Sequence, residues 1–302
     1  MFSVFSRYSD DCVRRSVYIR HLFLTTALLL ALSTQYAHAQ TPTCDRLAGP
    51  QESLAAAILA DQRPYDCCRD SIAECLEQEP TCVLALRLAE NICRRVASGQ
   101  SKEKIAEVLW QRYRSMLLGK SRAKVDLTGL PAAGDANAPI TLVEYGCPRC
   151  PYCAKTTLAM HDAVLNGPLK GKVKLYFRTF PIRGHPHATE SGLAFVAAAK
   201  LGHFWEFILD FYQHFDQFSL RKQLEWAEAV GMDREAFERA MSDPTARQTL
   251  IDVKKEGIIN NVNATPTFFI NGRKYRGELS HAELVDVLEE EFDRIKGIQH
   301  LR

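Results

Sequence analysis

Cys147-Pro148-Arg149-Cys150-Pro151-Tyr152-Cys153 follows directly on an apolar, β-branched run, Ile140 to Tyr145. Far downstream stands Thr265-Pro266-Thr267-Phe268-Phe269-Ile270. The first run reads as a strand and Ala154 to Leu165 as a helix, so the cysteines fall where one hands over to the other. Pro151 suits a first helical turn, where its missing N–H would have no partner anyway. That places Cys150 at the helix start, where unpaired N–H groups and the macrodipole favour negative charge. The thiolate is the nucleophilic form of cysteine, so Cys150 is the expected attacking thiol. Cys153, one turn further in, is the expected resolving thiol. A dithiol in this setting points to exchange chemistry rather than to a structural cross-link.

An iron–sulfur or metal site is the rival reading of three closely spaced cysteines. The bacterial ferredoxin run needs a fourth cysteine four residues after the third, and Thr157 stands there. Neither a metal nor any other cofactor is therefore expected beyond the cysteine pair itself.

Bulk properties are those of ordinary globular material: 302 residues, 46% hydrophobic and 25% charged. Residues 1–39 read as an export signal. Arg14, Arg15 and Arg20 precede an apolar core, Leu22 to Leu32, and Ala37-His38-Ala39 gives a small-x-small cleavage site. The apolar run falls well short of the about 20 residues that span a bilayer. Removing 1–39 takes four of 38 basic and two of 36 acidic residues, leaving 34 of each and a formal charge of zero. Nothing in that balance suggests nucleic acid as a partner.

Nine cysteines remain after residue 39: six over 44–93, three over 147–153 and none beyond. That density in an exported chain implies an oxidising compartment, periplasmic or extracellular. The odd count leaves at least one thiol over or pairs it with another molecule. Gly119 to Pro139, rich in Gly, Pro, Ala and Asp, reads as a boundary loop. The expected domains are a cysteine-rich helical region over 40–120 and a second domain over 121–302.

The first region is expected to be all-α, with helices over Glu52–Asp61, Asp66–Gln78, Thr81–Ala97 and Ser101–Leu118. Seven residues separate Cys68 from Cys75 and eleven separate Cys82 from Cys93, so each pair returns to nearly one helix face. A helical hairpin then favours Cys75–Cys82 at the turn and Cys67 or Cys68 to Cys93, with the other of that pair to Cys44. Six cysteines allow fifteen connectivities. A zinc site competes with this reading but lacks a C-x₂-C pair or a nearby histidine.

The two motifs identify a family. VEYGCPRCPYC together with NATPTFFINGRKYRG resembles the DsbA-like branch of the thioredoxin superfamily, DsbG and BdbD-like proteins included, from about Val125 to Phe292. The resemblance implies an α/β thioredoxin-like fold with a helical insertion at about 187–260. It implies Cys150 as nucleophile, Cys153 as its partner and Pro266 as a cis-proline facing them. Thr265 would offer backbone hydrogen bonds to an unfolded substrate. Glu144 occupies the place of a partly buried acid that exchanges a proton with Cys153; the bland alternative is a solvated glutamate at a strand edge. Cys147 departs from the family pattern, and three readings stay open for it: a thiol without a task, a second partner for Cys150, or a link to the N-terminal region.

The resemblance also implies the function class: an exported thiol:disulfide oxidoreductase, oxidase or isomerase, acting on unfolded or misoxidised secreted proteins and recharged by a membrane redox partner. An isomerase would need a dimerising region, which 40–120 could supply as a homodimer contact. Two rivals stand beside it. The cysteine-rich region could be a docking module carrying the redox domain as passenger. Residues 85–116 also resemble the CcmH/CycL-type helical domain, through Arg87, Val96, Gly99, Ser101, Ile105, Leu109, Arg112 and Tyr113, which implies a reductase role in cytochrome c maturation. The C-x-x-C of that family is absent, since Cys67 and Cys68 are adjacent. His185 and His187 read as packing or capping residues before a helix, and the aromatic stretch Phe204 to Phe218 as core.

Overall fold

The computed structural model describes residues 41–118 and 122–301; the expected export signal over 1–39 lies outside them. Thr41 onward forms one compact unit.

The cysteine-rich region comprises α1 (Pro50–Asp61), α2 (Ile72–Leu76), α3 (Val83–Ala97) and α4 (Lys102–Tyr113), which runs on as a π-helical turn over Arg114–Leu118. Ser71 caps α2 in a full capping box with Glu74. Gly99 takes the positive φ of a helix C-terminus after α3. Ile58, Ile72, Leu88, Ile92 and Ile105 form an apolar core of their own around the buried disulfides.

Two sequence expectations fail here, and the second failure follows from the first. Asp66–Gln78 is not one helix: only Ile72–Leu76 is helical, and Cys67 stands at φ 53° in an irregular segment. The same-face argument therefore does not apply to Cys68 and Cys75. The bonds are Cys44–Cys93, Cys67–Cys82 and Cys68–Cys75, with Cα separations of 5.1, 5.6 and 6.1 Å. Cys82 is itself the N-cap of α3, which turns it toward Cys67 rather than along the helix. Adjacent Cys67 and Cys68 thus diverge to different partners, and neither reaches Cys93.

Beyond residue 122 the order is β1 (Ile140–Gly146), α5 (Pro151–Leu165), β2 (Val173–Thr179), five helices α6–α10 spanning Ala188–Ile259, β3 (Thr267–Ile270), β4 (Arg273–Lys274) and α11 (His281–Lys296). The sheet order is β2-β1-β3-β4. β1 runs parallel to β2 and antiparallel to β3, so α5 is the crossover of a βαβ unit. Asn271 and Gly272, both at positive φ, make the tight turn between β3 and β4. The second strand of that hairpin is short, Arg273–Lys274.

One face of the sheet packs α5 and α11 through Leu142, Met160, Val164, Leu284 and Leu288. The other meets α10 (Pro244–Ile259) through Val143, Tyr145, Phe180 and Val253. Within the expected boundary loop, Ala133 exchanges both backbone hydrogen bonds with Leu175 of β2. Within the insertion Phe195, Phe207, Phe211 and Phe237 are fully buried and meet edge to face, as expected for a core.

The cysteine-rich region is fastened to α11 by charge. The Arg112 guanidinium, wholly buried, lies 2.7 Å from Asp286 and 2.7 Å from Glu290. Arg95 reaches Glu283 at 2.8 Å and Arg87 reaches Asp293 at 2.6 Å. Tyr65 donates to Glu290 at 2.6 Å.

Candidate active site

β1 ends at Gly146, and the chain turns through Pro148-Arg149 before α5 begins at Pro151 with Cys150 as its N-cap. The turn is closed by the Cys150 N–H donating to the Cys147 carbonyl at 3.0 Å. It is held from outside by Arg149, whose guanidinium lies over the rings of Phe215 and Phe218 at 4.5 and 3.9 Å. The Tyr212 hydroxyl donates to the Cys147 carbonyl at 3.1 Å from the insertion. Arg149 stands inside the cysteine run and Tyr212 in the aromatic stretch read as core, and nothing in the sequence marks either for this contact.

The Thr265–Pro266 bond is cis, as the family resemblance implied. It brings the Thr265 carbonyl 3.6 Å from the Cys150 sulfur, across 115 residues of chain. The two segments singled out in the sequence therefore meet.

Cys150, Cys153 and Cys147 are all free and buried, and they behave differently. The Cys150 thiol is lowered to about 5. The largest cause is the Cys153 thiol, which donates to the Cys150 sulfur; burial opposes it. The N–H groups of Cys153 and Tyr152 add to the lowering, without closing a regular capping bond. The Thr265 hydroxyl favours the thiolate as well and has no other partner among the described residues. Cys153 is pushed far up, first by burial, then by its bond to Cys150 and the nearby Glu144 charge. One thiol is thus ionised at neutral pH and its neighbour holds its proton.

Glu144 lies at the centre of β1, paired with Phe177 on one side and Phe268 on the other. It is wholly buried, which excludes the solvated strand-edge reading. Burial raises its carboxyl to about 8, against the 2.9 Å hydrogen bond that Thr157 donates to one oxygen. The other oxygen has no partner among the described residues. Thr157 was noticed in the sequence only as an absent cysteine.

Cys147 makes no link to the N-terminal region, where the six cysteines pair among themselves. Its sulfur accepts from the Ile182 N–H at 3.4 Å and meets His185 Nδ1 at 3.2 Å. Its own N–H donates to the Cys153 sulfur at 3.4 Å. His185, expected only to pack or cap, is therefore part of the site, whereas His187 is the left-handed N-cap of α6 (Ala188–Lys200).

Comparison with known proteins agrees with this architecture. The family profile described as thioredoxin matches residues 126–290. BdbD from Bacillus subtilis is 20% identical, with a TM-score of 0.51, covering 57% of this chain and 97% of that one. Alpha-DsbA1 from Wolbachia pipientis is 19% identical, with a TM-score of 0.50, covering 58% and 97%. Among curated proteins, the Na(+)/H(+) antiporter NhaA 1 of Mycolicibacterium gilvum is 34% identical over 160 residues, 52% of this chain but 25% of the antiporter. The chain spans about a quarter of the length of the curated relatives it matches. Among the described residues no helix is long and apolar enough to cross a membrane. With that profile matched over more than half of its length and a dithiol at the start of α5, the chain belongs to the thioredoxin family.

Proposed function

We propose that this protein is an exported thiol:disulfide oxidoreductase that exchanges disulfides with secreted proteins through Cys150 and Cys153. The observation that carries the proposal is the pairing of one ionised and one protonated sulfur at the start of α5, beside the Thr265 carbonyl. In the oxidising direction a client thiolate attacks the Cys150 sulfur of a Cys150–Cys153 disulfide. Cys153 leaves and takes up a proton. A second client thiolate then attacks the client sulfur of the mixed disulfide, and Cys150 departs as a stabilised thiolate. A low-pKa thiol is the better leaving group, which favours donation of disulfides.

Glu144 supplies the proton in this reading. A carboxyl raised to about 8 is mostly protonated at neutral pH, and its unpartnered oxygen is free to serve the leaving Cys153. In the reverse direction the same carboxylate takes the proton back. Thr265 and Pro266 present the client backbone to Cys150, and Tyr152, 74% exposed beside the sulfur, offers an aromatic surface for client side chains. A membrane redox protein would restore the spent disulfide. Residues 40–120 remain the segment on which an isomerase could dimerise.

The test compares wild type with Cys150→Ser in insulin reduction and in refolding of a scrambled disulfide protein. The variant should be inactive in both. Equal activity of the two proteins would remove the proposal.

A further inference from the structure

Cys150 has two neighbours at the same spacing, Cys153 inside the helix and Cys147 before it. The Cys150 N–H closes a four-residue turn on the Cys147 carbonyl at 3.0 Å. Such a turn holds its end Cα atoms within about 7 Å, and disulfides span Cα separations of about 4.4–6.8 Å. Both cysteines are in reach of the same sulfur.

Cys147 is furnished for chemistry in a way that an idle core cysteine is not. Three groups converge on its sulfur. The Ile182 N–H donates at 3.4 Å, the Arg149 N–H favours its anion, and His185 Nδ1 stands at 3.2 Å, a proton acceptor in the tautomer that carries its hydrogen on Nε2. Burial first, and then the Cys150 charge, raise this thiol, so it needs a base to react. His185 also lines a surface cavity of about 540 Å³ with Pro181, Ile182, Leu250, Ile251 and Lys254. A proton taken from the buried sulfur therefore has a way to water.

We infer that Cys147, with His185 as its base, is a second resolving thiol for Cys150 and releases clients that Cys153 leaves trapped. The inference rests on Cys150 being the attacking thiol. The Cys150 thiolate attacks a client disulfide; that S–S bond breaks, one client sulfur departs as thiolate and the other stays bonded to Cys150. His185 Nδ1 takes the Cys147 proton, and the Cys147 sulfur attacks the Cys150 sulfur. The bond from Cys150 to the client breaks and the client leaves as a second thiolate, protonated from the imidazolium or water. The client has gained two electrons, and the Cys147/Cys150 pair has lost two as a new disulfide. Cys153 must wait for the fraction of protein in which Glu144 is ionised and can take its proton, whereas Cys147 faces a histidine.

The test uses full-length reduced protein and a peptide cyclised by a single disulfide. Cys153→Ala should still release fully reduced peptide, and Cys147→Ser/Cys153→Ala should release it more slowly than Cys153→Ala by about 100-fold, stalled as the mixed disulfide. Trypsin cleaves after Arg149 and separates the two cysteines. The spent Cys153→Ala protein should therefore yield two fragments joined by a Cys147–Cys150 bond in mass spectrometry. His185→Gln in the Cys153→Ala background should slow release without removing that bond. Thermal melts establish that each variant is folded, and the fragment measurement is made on the Cys153→Ala protein alone. The inference fails if Cys153→Ala stalls as fully as the double variant, or if the joined fragments are missing. Release by Cys150→Ser would instead overturn the underlying assignment of the attacking thiol.

Discussion

Glu144 shows how much one residue's surroundings can decide. Its carboxyl is raised to about 8 because it is buried in the central strand with one hydrogen bond. A folded-state value above the unfolded 4.5 means the native protein binds the extra proton. The associated stability is fully present below about pH 4.5 and is lost as pH rises through about 8. In the reduced protein Cys150 works in the opposite sense, since its lowered thiol contributes stability that is lost as pH falls through about 5. Oxidising the dithiol removes the thiol titrations. Urea unfolding of the oxidised protein should then show stability falling between pH 5 and 8, on the order of the window set by these values, and Glu144→Gln should flatten that slope. The same variant should slow the step that protonates or deprotonates Cys153 by about 10²-fold. An unchanged slope and rate would mean that Glu144 is structural only.

At the scale of elements, the meeting of α4 and α11 is the contact whose strength can be measured. Arg112 is fully buried against Asp286 and Glu290, and removing it leaves carboxylates buried without a counter-charge. Arg112→Ala should cost about 3–5 kcal/mol in denaturant unfolding. A loss below about 1 kcal/mol would show that the cysteine-rich region is only loosely held. None of this was legible beforehand. Arg112 matched a helical pattern in the sequence, and its partners lie on the last helix, which no local periodicity connects to it. The disulfides failed for a related reason. Their prediction assumed that Asp66–Gln78 was helical, whereas Cys67 and Cys68 sit in an irregular segment stapled to α3. The elements with strong local signals came out well. The strand at Ile140–Gly146 and the Pro151 helix start lie where their residues place them.

For the molecule as a whole, the site depends on joining what the chain separates. β1 and α5 supply the thiols, β3 brings Thr265 and Pro266 beside them, and the insertion contributes Tyr212 and the rings beneath Arg149. The cysteines and the Thr-Pro were readable because each residue type has a narrow set of uses. Tyr212, Thr157 and His185 were not, because a hydroxyl or an imidazole in an aromatic or helical stretch looks like ordinary packing until its partner is seen. Cys153, Thr265 and the N–H groups of Tyr152 and Cys153 serve one condition, a Cys150 sulfur ionised at neutral pH. Alkylation of Cys150 by iodoacetamide, followed against pH in the reduced protein, measures that condition directly. The rate should rise with a midpoint at about 5. A midpoint near the ordinary thiol value of 9.0 would contradict the account.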